Sequence, residues 1–109
     1  MPTIYKVLGQ INPAANTATT LYTVPAGNTT VVSTLTVCNQ ISTAANFRIA
    51  VRPTGETLSS KHYLNFDTQV PANDQLALTI GITLAATDVV TVYANTANVS
   101  FNLFGTEIY

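Results

Sequence analysis

The chain has 109 residues, only nine of them formally charged, and its net charge at pH 7 is −1. Four cations offset by five acids are too few for a protein that binds nucleic acid through its phosphates, and 47% hydrophobic residues exclude intrinsic disorder. A chain of this length supports one hydrophobic core and therefore one domain. No run approaches the 18 apolar residues of a membrane span, and we expect no secretory signal at the N-terminus.

Apolar and polar residues alternate with period 2 in eight short runs separated by turn signals, which predicts strands and no helix. The first three runs cover residues 3–11, 17–24 and 29–39, and turns rich in Asn, Pro and Gly end the first two. In the third run, we expect an inward face and place Cys38 on the opposite, more polar face or at an interface. The inward face consists of Val31, Ser33, Leu35 and Val37.

The later runs follow the same rule. In the fourth run Phe47, Ile49 and Val51 face the core, while Arg48, Ala50 and Arg52 face outward. The fifth run, 61–67, places His62, Leu64 and Phe66 on its apolar side. The sixth run, 76–83, is expected to be one strand with Leu76, Leu78, Ile80 and Ile82 on one face. The seventh and eighth runs are 89–94 and 99–108, and the eighth sets Val99, Phe101 and Leu103 against Ser100, Asn102 and Phe104.

Eight short strands on this length predict an all-β fold, a single-domain antiparallel β-sandwich that is jelly-roll-like and contains no helix. The many Thr residues fit this fold, since a β-branched and half-polar side chain suits an outward strand position. The lone Cys38 cannot form an internal disulfide, which fits synthesis in a reducing compartment.

The sequence offers little that could carry catalysis or hold a metal or other cofactor. His62 has Asp67 as its nearest acid in the chain, and we expect a partly buried, hydrogen-bonded histidine rather than a base. Cys38 lacks neighbouring positive charge and is expected to be a small packing residue. One His and one Cys are too few for a zinc site, and the acids show no calcium-loop spacing.

Seven residues are candidates for contact with a partner. Arg48, Arg52 and Lys61 share one outer face if the fourth and fifth strands pair, either as a patch for acidic groups or as solvated residues with loose ion pairs. Tyr63 and Tyr93 are outward by phase, and tyrosine is common at interfaces and sugar sites. Tyr5 and Lys6, in the N-terminal segment, complete the set.

Four stretches of the chain carry a resemblance to a known family: YTVPAGNTTVVSTLTVCNQ, FRIAVRPTGE, KHYLNFDTQVPANDQLALTIGITLAATDVVTVYA and VSFNLFGTEI. In these stretches the chain resembles a family of small virion structural proteins of tailed bacteriophages that is common among cyanophages. Its most specific pieces are the VPAG turn with VCN at the end of the following strand, LTIGITLAATD, and the closing NLFG-x-E-I. The similarity extends from about Leu21 to Ile108, and residues 1–20 lie outside it.

The resemblance implies a non-enzymatic β-sandwich module of the virion, made in the host cytoplasm, with no catalytic residues to carry over. We expect a homo-oligomer that contacts other virion proteins, such as the major capsid protein, and neither nucleic acid nor a membrane. A capsid cement or decoration role is favoured, with residues 21–109 as the sandwich and residues 1–20 as an N-terminal arm that adds a strand to another chain. The alternatives are a neck, tail or baseplate component, or a glycan-binding module for host attachment.

Overall fold

The structure is a computed structural model that describes residues 2–79 and 81–109. Within these residues the chain forms nine strands in two antiparallel sheets, which confirms the all-β sandwich. No helix of this part is long and apolar enough to cross a membrane. The strands are β1 (Thr3–Ile11), β2 (Thr19–Thr23), β3 (Thr29–Asn39), β4 (Ala45–Arg52), β5 (Tyr63–Val70), β6 (Gln75–Leu78), β7 (Ile82–Leu84), β8 (Val89–Ala94) and β9 (Val99–Ile108).

The strand order is that of a jelly roll. Sheet A has the order β1-β9-β3-β6, with β7 also paired to β3, and sheet B has the order β2-β8-β4-β5. If β6 and β7 are counted as two halves of one strand, the strands pair from the two ends of the chain toward its middle. β1 pairs with β9, β2 with β8, β3 with β6 and β7, and β4 with β5. The chain is therefore one long hairpin rolled into two facing sheets, the arrangement of jelly-roll domains.

The core lies between the sheets and is built from the side chains that the alternation predicts. Phe47 on β4 and Phe101 on β9 meet edge to face across the two sheets, with ring centroids 6.2 Å apart. Leu35, Ile49 and Leu103 are fully buried around them. An edge-to-face aromatic pair adds a favourable electrostatic contact to the burial of apolar surface.

A β-bulge at Ser33 corrects the predicted face of β3. Val32 is opposite Gly105 on β9 and Thr34 is opposite Phe104, so Ser33 is an extra residue that reverses the alternation. Leu35 and beyond follow the prediction, but before the bulge Val32 is buried and Val31 is 40% exposed. The prediction that Val31 and Ser33 face the core is therefore wrong.

The fifth run also departs from its predicted pattern. Residues Ser60–His62 form a 3-10 turn, and β5 begins only at Tyr63. Leu64 and Phe66, expected on the apolar face, are 48% and 57% exposed. The register between β4 and β5 shifts twice, and Asp67 adopts a left-handed φ of 53°. These irregularities of an edge strand turn the two apolar side chains away from the core.

The sixth run is two strands rather than one. Leu78 of β6 is opposite Leu35, whereas Ile82 of β7 is opposite Val32. The bulge of β3 at Ser33 lies between the two pairings. Leu76, Leu78 and Ile82 do pack against the core, and Ile80 lies outside the described residues.

Candidate functional site

Arg48 is the centre of an aromatic cluster on the outer face of sheet B. Its guanidinium carbon lies 4.0 Å from the ring centroid of Phe66 and 4.2 Å from that of Tyr93. Its Nε donates to Asp67 Oδ1 at 2.7 Å, and this bond holds the pKa of the Asp67 carboxyl below its usual value. Tyr63 meets Phe66 edge to face at 4.9 Å. We call these five residues the arginine–aromatic patch.

The β4–β5 irregularity builds this patch. Arg48 is directly opposite Tyr93 on β8, and on β5 both Phe66 and Asp67 stand where one residue would face Arg48. The extra residue brings a ring and a carboxylate to the same guanidinium. An open depression of about 260 Å³ lies alongside, lined by Ser60, Tyr63 and Phe66. Of the seven predicted contact residues, Tyr93 therefore contacts Arg48 directly, and Tyr63 is linked to them through Phe66.

Arg52 and Lys61 do not join Arg48. Arg52 donates from Nε to Thr91 Oγ1 at 3.0 Å and from Nη1 to the Glu56 carbonyl at 2.9 Å. Lys61 lies 3.5 Å from the Glu56 carboxylate with a largely exposed side chain, a type of ion pair that contributes little. The three cations therefore form two separate groups, each with partners in this chain.

His62 is buried and both its ring nitrogens are engaged. Its Nδ1 accepts the Ser59 N–H at 3.0 Å, and its Nε2 lies 3.2 Å from Glu56 Oε1. The acid beside it is thus Glu56 and not Asp67. The histidine bond lowers the pKa of the Glu56 carboxyl, with a smaller contribution from Lys61. With no ring nitrogen free to accept a proton from a substrate, the pair fastens the loop before β5 rather than forming a catalytic dyad.

Glu107 is the centre of a polar cluster that was not predicted from the sequence. Its side chain is buried at one end of the sandwich, where it accepts from Tyr22 Oη at 2.5 Å and from Lys6 Nζ at 3.3 Å. Tyr22 also bonds Thr30 Oγ1 at 2.8 Å. Hydrogen bonding from Tyr22 lowers the pKa of Glu107, and burial, the largest cause, raises the pKa of Tyr22 to about 12. The burial of Glu107 could have been predicted from the sequence, because the alternation that turns Phe101 inward also turns Glu107 inward.

The outer face of sheet A carries none of the nine charged residues, all of which lie in the described part of the chain. Register places on this face a set of apolar and uncharged polar side chains, and Cys38 is among them, on the face predicted for it. Tyr5 is 83% exposed, and Val7 and Val31 are 47% and 40% exposed. We call this surface the neutral face; its members are Thr3, Tyr5, Val7, Gln10, Thr29, Val31, Thr34, Thr36, Cys38, Gln75, Ala77, Thr83, Ser100, Asn102, Phe104, Thr106 and Ile108.

Lys6 and Tyr5 therefore point to opposite sides of β1. Tyr5 belongs to the neutral face, whereas Lys6 is opposite Gly105 on the inner side and reaches Glu107. Among the residues that the structure describes, no three His, Cys, Asp or Glu side chains are grouped so as to hold a metal ion.

No protein-family model matches the sequence, and no curated protein matches it. One solved structure that is similar is a pentameric capsid protein isolated from metagenomic phage sequences. The two chains are 23% identical with a TM-score of 0.31, and the match covers 96% of this chain and 59% of that one. A TM-score of this size carries no argument about function.

Proposed function

We propose that this chain is a non-enzymatic structural protein of a tailed-bacteriophage virion that acts as a capsid cement or decoration protein. The virion assignment is supported by the sequence resemblance between residues 21 and 108. In this role the sandwich sits on the shell and bridges neighbouring major-capsid subunits.

The observation that carries the assembly role is the neutral face. A large contact is costly when it buries charged groups without partners, because each loses its hydration. The neutral face has no such groups, and its exposed Tyr5 offers the broad amphipathic area that is common at interfaces. The charged residues lie elsewhere: in loops, at the end of β4, in the arginine–aromatic patch, or in the Glu107 cluster.

The location in the virion is tested by counting copies. Quantitative mass spectrometry of purified particles should give hundreds of copies per virion for a capsid coat. Tens of copies or fewer would instead support a neck, tail or baseplate component, and absence from particles would overturn the virion assignment.

The surface is tested by adding the purified protein to particles that lack it. Val31→Lys puts a charge in the middle of the neutral face at a side chain that is already 40% exposed, so the fold should be retained. We expect at least about a tenfold loss of binding, since the ammonium is desolvated without a partner. Leu64→Lys is the matched control, at a 48% exposed apolar position on the other sheet. Equal binding by both variants would contradict the assignment of the neutral face.

A glycan-binding role is the second candidate, and the depression beside Tyr63 and Phe66 is the observation that favours it. Sugar rings stack on exposed aromatic side chains while polar groups nearby, here Ser60, orient their hydroxyls. Binding on a glycan array that Phe66→Ala abolishes would support this function. An array without signal would remove it.

A further inference from the structure

The first half of β1 is an open sheet edge. β1 pairs with β9 on one side, and no other described strand pairs with residues 3–7 on the other side. Residues 2–7 are all exposed, with Tyr5 the most exposed of the large apolar side chains. Natural edge strands are usually shortened or protected by charges and proline, because free backbone groups invite another strand. Over residues 3–7 this edge has Lys6 as its single charge.

The register determines which backbone groups of this edge are free. Tyr109 donates its N–H to the Pro2 carbonyl, so Pro2 and Tyr109 form a hydrogen-bonded pair. Hydrogen-bonded and non-hydrogen-bonded pairs alternate in an antiparallel ladder. The pairs made by Thr3, Tyr5 and Val7 with β9 are therefore of the non-hydrogen-bonded type. The N–H and C=O groups of these three residues point away from β9, toward the open edge.

We propose that a second copy of this chain occupies the edge, with the two β1 strands paired antiparallel about a two-fold axis at Tyr5. In this register Tyr5 is opposite the partner's Tyr5, and Thr3 is opposite the partner's Val7. By symmetry, Val7 is also opposite the partner's Thr3. Each of these three pairs exchanges two hydrogen bonds, which gives about six in all. Sheet A then continues through the dimer, and the two neutral faces join into one surface.

Charge disfavours one alternative register that uses the same backbone groups, and bond count disfavours another, because an axis at Ile4 would pair only Thr3 with the partner's Tyr5 and give about four hydrogen bonds. A two-fold axis at Lys6 would place two ammonium groups directly opposite each other, which destabilises a strand pair. With the axis at Tyr5, Lys6 is instead opposite the partner's Ile4 and keeps its bond to Glu107 at 3.3 Å. Such a contact of the same patch on both copies is the isologous type that closes as a dimer.

The proposed dimer contact is small, so we expect the dimer to be weak. Two paired strands of about five residues bury less than the ~1,200 Å² of a standard interface, so we expect a Kd between about 10 µM and 1 mM for the isolated protein. The dimer goes beyond the proposed function, since it concerns the chain in solution. Its failure would leave the virion assignment standing, and the reverse also holds.

Cysteine cross-linking tests the register directly, in a Cys38→Ser background that removes the native thiol. Paired Tyr5→Cys residues would have Cα atoms about 5.5 Å apart, within the range of a disulfide. Oxidation should therefore give a covalent dimer of twice the 11.6 kDa chain. Val7→Cys is the matched control, because its two copies would lie more than about 13 Å apart along the strands and cannot bridge. Mixed with Thr3→Cys chains, the Val7→Cys chains should form the heterodimer.

A charge variant tests whether the dimer forms without cross-links. Tyr5→Lys changes a side chain that is 83% exposed and should leave the circular dichroism spectrum unchanged. Sedimentation at rising concentration should show dimerisation of the native chain, with at least about a tenfold weaker Kd for Tyr5→Lys because the two lysines repel. Leu64→Lys should behave as the native chain. A strict monomer at 1 mM, or cross-linking of Val7→Cys alone as fast as Tyr5→Cys alone, would overturn the proposal.

Discussion

Replacing Tyr22 by Phe removes one hydroxyl from the Glu107 cluster and leaves the ring in the core. That hydroxyl donates to Glu107 Oε2 at 2.5 Å and bonds Thr30 Oγ1 at 2.8 Å, and both partners are buried. A hydrogen bond to a charged group is worth about 1.5–3 kcal/mol, and the buried Thr30 hydroxyl loses a partner as well. We therefore expect Tyr22→Phe to lower the free energy of unfolding at pH 7 by about 2–3 kcal/mol.

The pH dependence of the free energy of unfolding should distinguish the loss of this hydroxyl from a general loss of stability. The pKa of Glu107 is lowered in the folded protein, so its contribution to stability is complete above its usual value of 4.5 and is lost as the pH falls through the lowered pKa. The pKa of Tyr22 is raised from 10.0 to about 12, so that contribution is present below pH 10 and is lost as the pH rises toward 12. Tyr22→Phe should weaken the acid-side dependence and remove the alkaline contribution of Tyr22.

Urea unfolding across the pH range measures both effects, and the slope with urea should not change if only stability has changed. Tyr93→Phe is the matched control, because its hydroxyl donates to Asn16 Oδ1 at 2.9 Å on the exposed surface. The control should lie within about 0.5 kcal/mol of the native chain. Equal losses in the two variants, or an unchanged pH profile in Tyr22→Phe, would refute the reasoning.

Three further substitutions test the fold by urea unfolding. Gly105→Ala should cost about 1–3 kcal/mol, because the new methyl group would collide with the Val31 carbonyl; an unchanged midpoint would contradict this close approach. Phe101→Ala should cost about 3–5 kcal/mol through the cavity left in the core, and a loss no larger than that of the exposed Phe66→Ala would be inconsistent with the core assignment. Asp88→Ala should cost about 1–2 kcal/mol, because its carboxylate accepts the backbone N–H groups of residues 54 and 85; Asp88→Asn, which keeps one acceptor, should lose less.

For the candidate contact residues, the sequence predicted which face of the sheet a side chain occupies better than it predicted which other side chains it touches. Tyr93 and Arg48 are on the outer face as expected from phase, and the register places them opposite each other. Tyr63 is linked to them only through the ring of Phe66. Phe66 was expected inward, yet its ring covers the guanidinium from the outside. The error arises at the edge strand β5, where an extra residue changes the phase and no second neighbouring strand fixes the register.

The sequence by itself determined that this protein is two-layered and all-β, and which side chains of β4 and β9 fill its core. Those results depend on the period-2 alternation of a strand, a local property of the backbone. Only the tertiary structure decided the jelly-roll order, the bulge at Ser33, and the meeting of Tyr22 with Glu107, 85 residues apart. A bulge exists only where two residues of one strand face a single residue of another strand. A buried carboxylate such as Glu107 is stable only with the partners that surround it. Both depend on contacts between distant parts of the chain, which alternation along one strand does not encode.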